Sequence, residues 1–345
     1  MGEGRTMNSY FRKAFILVLA LACIGSALGA FSLDIGPDQV IVITIDGARP
    51  DVFWQAFDEK AGPLLGNLVE KGVKGYSVDT VNPSITPVAH ASLFSGSEPA
   101  TFNYALPPDG VTVDTLFQVL DRLGKTSVFI DAKGGRLEGL EVGAAIIHNQ
   151  KDYRLEGMPE GQSQPMGLLI AEMQGSRPDL AFLLLPMSDF MGHKYGSDSQ
   201  EYREAIAVAL EEIERLLKAL DEAGSLGSTA VVITADHGMT GRRHDDWLIP
   251  TNREVPLIMA GPGFKQGYSL QGAMIIDVAP TLAKVMGVPA LRDADGTVLR
   301  EALANDPRGS LFLAAWVAGL LAIAVLAGPS LRQALPYLNP SYRAE

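Results

Sequence analysis

The stretch VIVITIDGARPD, residues 40–51, shows how the chain builds its sheet. Its first six residues, Val40–Ile45, are apolar or β-branched without an interrupting polar face, which is typical of a strand buried on both sides. Asp46 follows directly, so the sequence predicts a carboxylate at the carboxyl end of this strand.

Further short apolar runs follow and alternate with amphipathic stretches. They are SVFI (127–130), LAFLLLP (180–186), AVVITA (230–235) and VPLIMAG (255–261). The clearest predicted helix spans Ser199–Ala223 and stops at Gly224. This alternation predicts an α/β fold: a three-layer αβα sandwich around a mostly parallel, doubly wound sheet.

Two apolar segments flank this pattern in a chain of 345 residues with a mean hydropathy of +0.14. Ala14–Phe31 follows basic residues, which predicts that residues 1–31 are a signal peptide or an N-terminal signal anchor. Ser310–Ala327 carries no charge and predicts a transmembrane helix over residues 310–327.

Basic residues lie on the outer side of both apolar segments, so both ends of the chain are expected in the cytoplasm. Residues 328–345 are then a cytoplasmic tail, and residues 32–305 form an extracytoplasmic domain at the cell membrane. The formal charge of -12 argues against nucleic acid as the main partner, and no nucleic-acid-binding surface is expected.

Carboxylates and imidazoles cluster after the predicted strands. Ligands bind at the carboxyl ends of strands in such sheets, so these residues are expected to meet at one edge. They are Asp46 after the first strand, Asp189 and His193 after the third, and Asp236, His237 and His244 after the fourth. Carboxylate and imidazole together suit zinc, with manganese or iron as possible substitutes.

Five motifs occur in the order found in the alkaline phosphatase superfamily. They are VIVITIDGARPDVF, TPVAHASLFSG, DFMGHKYG, TADHGM followed by His244, and IIDVAPTLAKVMGVP. The nearest resemblance is to the type I phosphodiesterase and nucleotide pyrophosphatase branch, and it covers about residues 39–303.

This resemblance implies a metal-dependent phosphoesterase, a phosphodiesterase or phosphatase, that holds two divalent cations, Zn²⁺ or Mn²⁺. One ion would be held by Asp46, Thr86, Asp236 and His237, and the other by Asp189, His193 and His244. Thr86 would attack the phosphorus of a phosphate ester and form a phosphothreonine, which water then hydrolyses.

The residues around Thr86 support and qualify this assignment. Pro87 predicts the start of a helix, so Thr86 is expected both to cap that helix and to act as the nucleophile. Nucleotide pyrophosphatases carry Pro two positions after the nucleophile and then an Asn that holds a phosphate oxygen. Here Val88 and Ala89 stand in those places, so that contact is missing or supplied elsewhere.

Further residues are candidates for the second shell or for substrate contacts. His90 keeps its family position and is either a packing residue or a substrate contact. Asn149–Pro165 is polar and is predicted as a loop over the site. The remaining candidates are Arg49 after the first strand and Lys151, Tyr153 and Arg154 in this loop, where the latter three are also compatible with simple solvation.

Alternative functions follow from the same pattern. A transferase of phosphoethanolamine or phosphoglycerol to lipids or glycans would use the same covalent threonine, and a catalytically silent membrane-tethered binding protein would keep the fold without turnover. A sulfatase needs Cys or Ser at the nucleophile position and Arg four residues later, where this chain has Thr86 and His90. A phosphomutase of the superfamily needs a Ser nucleophile and a large inserted domain, which disfavours that activity too.

Overall fold

The computed structural model describes residues 36–102 and 110–304, which contain one sheet. It contains eight strands in the order β4-β3-β5-β1-β6-β7-β2-β8. The strands are β1 (Gln39–Ile45), β2 (Val73–Asp79), β3 (Ser127–Asp131), β4 (Ile146–His148), β5 (Leu180–Leu185), β6 (Thr229–Thr234), β7 (Glu254–Ala260) and β8 (Tyr268–Leu270).

The central strands β5, β1 and β6 are parallel neighbours, and every one of their residues is buried. A strand with both faces buried needs packing partners on both sides of the sheet. The expected α/β fold with a mostly parallel sheet is therefore confirmed.

Helices connect the strands and cover the sheet. They are α1 (Pro50–Lys60), α2 (Pro63–Glu70), α3 (Thr86–Ser95), α4 (Leu116–Arg122), α5 (Glu160–Gly175), α6 (Met187–Tyr195), α7 (Gln200–Glu222), α8 (Pro250–Arg253) and α9 (Val278–Val285). Helix α7 agrees with the predicted helix, and Gly224 beyond it has a φ of +71°, as a helix-terminating glycine should. Contacts among the helices form two groups, with α7 against α1, α2, α5 and α6, and α3 against α4 and α9.

Among the described strands, β7 alone runs antiparallel to its neighbours. The chain leaves β6 at the carboxyl edge and enters β7 from that same edge without crossing the sheet, which makes the pair antiparallel. This connection carries His237 and His244.

No helix within residues 36–102 and 110–304 has the length and apolar character needed to cross a membrane. The predicted signal or anchor segment (residues 1–31) and the predicted transmembrane helix and tail (310–327 and 328–345) lie outside the described residues. They stay predictions.

Candidate active site

Three carboxylates meet where the adjacent strands β5, β1 and β6 end. Asp46 follows β1 directly, Asp236 comes two residues after β6, and Asp189 lies in the first turn of α6 just beyond β5. All three are buried. Because buried carboxylates are costly unless cations or hydrogen-bond donors compensate them, this edge of the sheet is a charged site and not part of the core.

One face of this carboxylate cluster lacks hydrogen-bond donors. Asp236 Oδ1 accepts hydrogen bonds from the backbone N–H groups of Gly47 (3.1 Å) and His237 (3.0 Å). In contrast, Asp46 Oδ1, Asp189 Oδ1 and Asp236 Oδ2 are buried without a hydrogen-bond partner. Buried oxygens that lack donors fit cation ligands, so the residues present suit a divalent metal.

Gly47 permits this close arrangement of the carboxylates. Its φ is +70°, in the left-handed region, and a Cβ atom there would lie 3.3 Å from Cα and Cβ of Asp189. Glycine therefore allows β1 and the start of α6 to approach each other.

Three histidines present the same nitrogen toward these carboxylates. In each, Nδ1 is paired with a backbone carbonyl, which favours the tautomer that leaves the Nε2 lone pair free for a metal. The pairs are His193 with Arg242 O (2.9 Å), His237 with Gly238 O (2.9 Å) and His244 with Ser84 O (2.6 Å). Two of them come from the connection between β6 and β7, and His193 comes from α6.

The ligand atoms form two groups that share Asp189. His193 Nε2 and His244 Nε2 lie 3.2 and 3.8 Å from Asp189 Oδ1. The second group contains Asp46, Asp189 and His237, with His237 Nε2 3.6 Å from Asp46 Oδ1. Each group contains atoms that lie within 4.8 Å of one another, so either set could hold a metal ion.

Asp236 and Thr86 complete the second group. Asp236 Oδ2 and Thr86 Oγ1 each lie 3.4 Å from His237 Nε2. All seven residues predicted from the sequence as metal ligands are thus brought to one edge of the sheet.

Thr86 is the first residue of α3 and not its cap, so the capping prediction was wrong. The N-cap residue is Ile85, and no side chain caps this helix end. The Thr86 hydroxyl is left for the site, which lies at the positive N-terminal end of α3. Pro87 at the second position lacks an N–H group, so it supplies no amide to a ligand there.

His90 lies behind Thr86, and both of its ring nitrogens are engaged. Nδ1 lies 2.7 Å from the backbone carbonyl of Thr86, and Nε2 lies 2.8 Å from Thr44 Oγ1. Burial lowers the pKa of His90. These contacts favour the packing interpretation, in which His90 fixes the backbone that carries Thr86.

Lys133 is a site residue that the sequence analysis missed. It follows β3, its side chain is only 4% exposed, and Nζ lies 2.7 Å from Asp46 Oδ2 and 2.9 Å from Asp189 Oδ2. The same Nζ lies 3.3 Å from Thr86 Oγ1. The only available signal was its position three residues after a predicted strand, beside the strand ends that carry the carboxylates.

The close packing of these charged side chains shifts their pKa values. Burial raises the pKa of Asp46 well above its ordinary value, and repulsion from Asp236 raises it further. Burial opposes the charge of Lys133, but attraction to the carboxylates outweighs it and raises the pKa of the lysine. Burial and the neighbouring His237 lower the pKa of His244 to about 4, so His244 is neutral near pH 7, the form that binds metals.

The charged candidates for substrate contact have their ion-pair partners outside this cluster. The pKa of Arg154 is raised by its hydrogen bond to Asp152 and also by the charges of Asp46 and Asp189, so this residue lies near the cluster. The Arg49 guanidinium pairs with Asp51 and Asp198, and Arg154 pairs with Asp152. Lys151 pairs with Glu156, while the ring of Tyr153 is largely buried.

The predicted loop over the site, residues 149–165, was partly wrong. Tyr153–Glu156 forms a 3₁₀ turn, and α5 begins at Glu160 and contains Pro165. Pro165 lies in the second turn of α5, five residues after Glu160, and Gln162 and Met166 beside it are buried, so packing favours the helix despite the polar composition.

Comparison with known proteins places this site in a family. The chain matches the type I phosphodiesterase / nucleotide pyrophosphatase family over residues 40–102 and 136–260, more than half of its length. The chain belongs to this family. Both matched ranges together contain all seven predicted ligands, whereas Lys133 falls between them.

A solved structure shares the fold of this family member. An inactive variant of murine ectonucleotide pyrophosphatase / phosphodiesterase 5, in complex with AMP, superposes with a TM-score of 0.64 at 13% identity. The match covers 77% of this chain and 100% of that one. At this identity the likeness shows the fold.

Curated relatives match over shorter stretches. Arylsulfatase K from Danio rerio is 33% identical over 79 residues, which cover 21% of this chain and 15% of the relative. The 2,3-bisphosphoglycerate-independent phosphoglycerate mutase of Cereibacter sphaeroides is 30% identical over 152 residues, which cover 42% of this chain and 28% of the relative. The chain thus spans less than a third of the length of either protein.

Proposed function

We propose that this protein hydrolyses phosphate esters, with the Thr86 hydroxyl as nucleophile and two divalent metal ions as cofactors. One observation carries the proposal: Thr86 Oγ1 lies at the N-terminal end of α3, in contact with His237 Nε2 and beside three carboxylates whose inward oxygens lack hydrogen-bond donors. Family membership supports phosphoryl transfer as the reaction class.

Each of the two groups of ligands would hold one metal ion. Asp46, Asp236 and His237 would hold one ion next to Thr86, and Asp189, His193 and His244 would hold the other. When bound, divalent ions lower the pKa of a nearby hydroxyl and polarise the phosphoryl group. The histidine tautomers fixed by backbone carbonyls keep each Nε2 available for this purpose.

Thr86 carries the covalent chemistry. Its Oγ1 forms a bond to phosphorus, its proton passes to solvent, and the bond from phosphorus to the leaving oxygen breaks. Water then attacks the phosphothreonine, releases phosphate or a phosphomonoester and restores the hydroxyl. Helix α3 and His90 hold the Thr86 backbone in place during both steps.

We place this reaction outside the cytoplasmic membrane, because of the two apolar segments in the sequence. That part of the proposal depends on residues outside the described ranges.

An activity screen tests the proposal. Purified protein loaded with Zn²⁺ or Mn²⁺ is expected to cleave p-nitrophenyl phosphate or bis-p-nitrophenyl phosphate, and a chelator should abolish the activity. Thr86→Ala should lower kcat/KM by about 10⁴-fold or more, as the loss of a covalent nucleophile does. The proposal fails if the loaded protein cleaves neither ester.

A further inference from the structure

Lys133 lies among the site residues, although it is not one of the seven predicted metal ligands. Its ammonium group touches Asp46 and Thr86, which belong to one group, and Asp189, which is shared by both. Among the described residues, the Thr86 hydroxyl has two side-chain hydrogen-bond partners, namely His237 and Lys133. Lys133 therefore lies where the reacting phosphoryl group must bind.

The backbone fixes this position. Asp131, at the end of β3, accepts hydrogen bonds from the backbone N–H groups of Lys133 (2.8 Å) and Leu137 (2.9 Å). Gly134 follows with a φ of +66°, and Tyr153 N donates to Ala132 O (3.0 Å). Hydrogen bonds thus hold the turn on both sides, and the turn places Lys133 in the site from β3, a fourth strand.

The residues next to Thr86 in α3 supply no side-chain donor that could replace Lys133. Val88 and Ala89 follow Pro87 at the start of α3. Both side chains are apolar and buried. A phosphoryl oxygen on that side of Thr86 needs another donor, and Lys133 Nζ, 3.3 Å from the Thr86 hydroxyl, is within reach.

We propose that Lys133 is a substrate contact that binds an oxygen of the phosphoryl group and selects phosphomonoesters over phosphodiesters. This inference rests on the proposed function, and it names the substrate class of that same site.

The preference follows from charge. Two divalent ions exceed the three site carboxylates by one positive charge, and Lys133 adds a second. A phosphodiester carries one negative charge on its phosphoryl group, whereas a phosphomonoester near neutral pH carries almost two. A lysine donates as a compact point charge, so its contribution grows with the charge of the oxygen that it contacts.

The test compares both ester classes in metal-loaded enzyme with Lys133→Gln. We expect kcat/KM for p-nitrophenyl phosphate to fall by about 10²-fold, as for the loss of one donor to a charged transition state. The value for bis-p-nitrophenyl phosphate should change by no more than a few-fold. An equal fall for both esters would overturn the inference, because it would show that Lys133 only balances the charge of the ligands.

Binding provides a readout that is independent of turnover. In metal-loaded Thr86→Ala protein, the affinity for inorganic phosphate measured by calorimetry should fall by about 10-fold or more on adding Lys133→Gln. Unchanged affinity, with metal content confirmed by elemental analysis, contradicts the contact. Lys133→Arg keeps the charge and should keep the preference for monoesters, which covers the case in which the Gln variant does not fold.

Lys125 offers a matched control at the opposite end of the same strand. It precedes β3 and pairs with Asp179 (2.6 Å), so Lys125→Gln also removes a lysine–aspartate ion pair, but one far along the strand from the site. The ratio of monoester to diester activity should stay unchanged in this variant. If wild-type enzyme cleaves neither ester, the proposed function fails. If it cleaves both and Lys133→Gln leaves their ratio unchanged, only the role of Lys133 fails.

Discussion

Buried aspartates occur in two kinds of surroundings in this protein. At the site, Asp46, Asp189 and Asp236 each have an inward oxygen without a hydrogen-bond partner. Elsewhere, Asp131 uses both oxygens to accept backbone N–H groups, and Asp114 pairs with arginines. Aspartates of the first kind lower the stability of the fold and leave oxygens available to a ligand. Aspartates of the second kind stabilise the fold itself.

This difference predicts opposite responses to one chemical change, Asp to Asn. At Asp46 the change removes a charge that burial and the neighbouring Asp236 disfavour. At the structural positions it replaces an acceptor with a donor where donors already point.

Asp46→Asn should have the largest effect on function. We expect kcat/KM to fall by about 10³-fold or more, because a metal ligand beside the nucleophile is lost. The metal-free variant should melt at the same temperature as the metal-free wild type or higher, since the pKa of Asp46 is raised by burial and repulsion. A lower melting temperature of the variant would contradict the contrast between the site aspartates and the structural aspartates.

His193→Ala tests the more exposed side of the site. The side chain of His193 is 46% exposed, whereas His237 is fully buried, so its loss should leave the fold intact. We expect metal affinity for one ion to fall by about 10- to 100-fold, with activity restored by excess metal.

Calorimetric titration with Zn²⁺ measures that effect. His148 pairs with Glu172 away from the cluster, so His148→Ala serves as the matched control with unchanged titration. Equal affinities for the wild type and the His193 variant would remove His193 from the ligands.

Burial raises the pKa of Asp131 as it does that of Asp46, but two backbone N–H groups donate to the oxygens of Asp131. Asp131→Asn should therefore destabilise the protein, in contrast to the same change at Asp46. One of its two backbone donors would face an NH₂ group, and an unsatisfied buried donor costs about 1–3 kcal/mol. Urea denaturation of the metal-free proteins measures the free energy of unfolding. A variant as stable as the wild type would show that these backbone hydrogen bonds contribute little.

Asp114→Asn should have the smallest effect, below about 1 kcal/mol at neutral pH, because its arginine partners are largely exposed. Hydrogen bonds from Arg292 lower the pKa of Asp114 although its burial opposes this. A lowered folded-state pKa contributes stability above the ordinary value of about 3.9, and the contribution is lost as pH falls through the folded-state value. The difference in unfolding free energy between the wild type and the variant should therefore shrink in acid, and a constant difference would contradict the assignment.

Much of the fold was predictable because the long strands are apolar throughout. The predicted run of Val40–Ile45 and its counterparts agree with β1, β3, β5, β6 and β7 to within about a residue at each end. Strands β4 and β8 have three residues each, too few to show a period, and β2 is interrupted by Gly75 and polar residues.

The candidate ligands were also predictable, since carboxylates and imidazoles after strands form a recognisable pattern. Lys133 was not, because a lysine in a loop is ordinarily solvated and its burial appears only once β3 lies beside β5. The hydrogen bond between His90 and Thr44 could not be predicted from the sequence either, since it joins residues 46 positions apart.

The central claim is that Thr86 becomes covalently phosphorylated during turnover. Metal-loaded enzyme mixed with a phosphate ester, quenched in acid and digested, should yield a peptide containing Thr86 that is heavier by one phosphoryl group in the mass spectrum. The corresponding peptide of Thr86→Ala should stay unmodified, and this variant should not turn over. Sustained turnover by Thr86→Ala at the wild-type rate, with no phosphorylated peptide from either protein, would contradict the account.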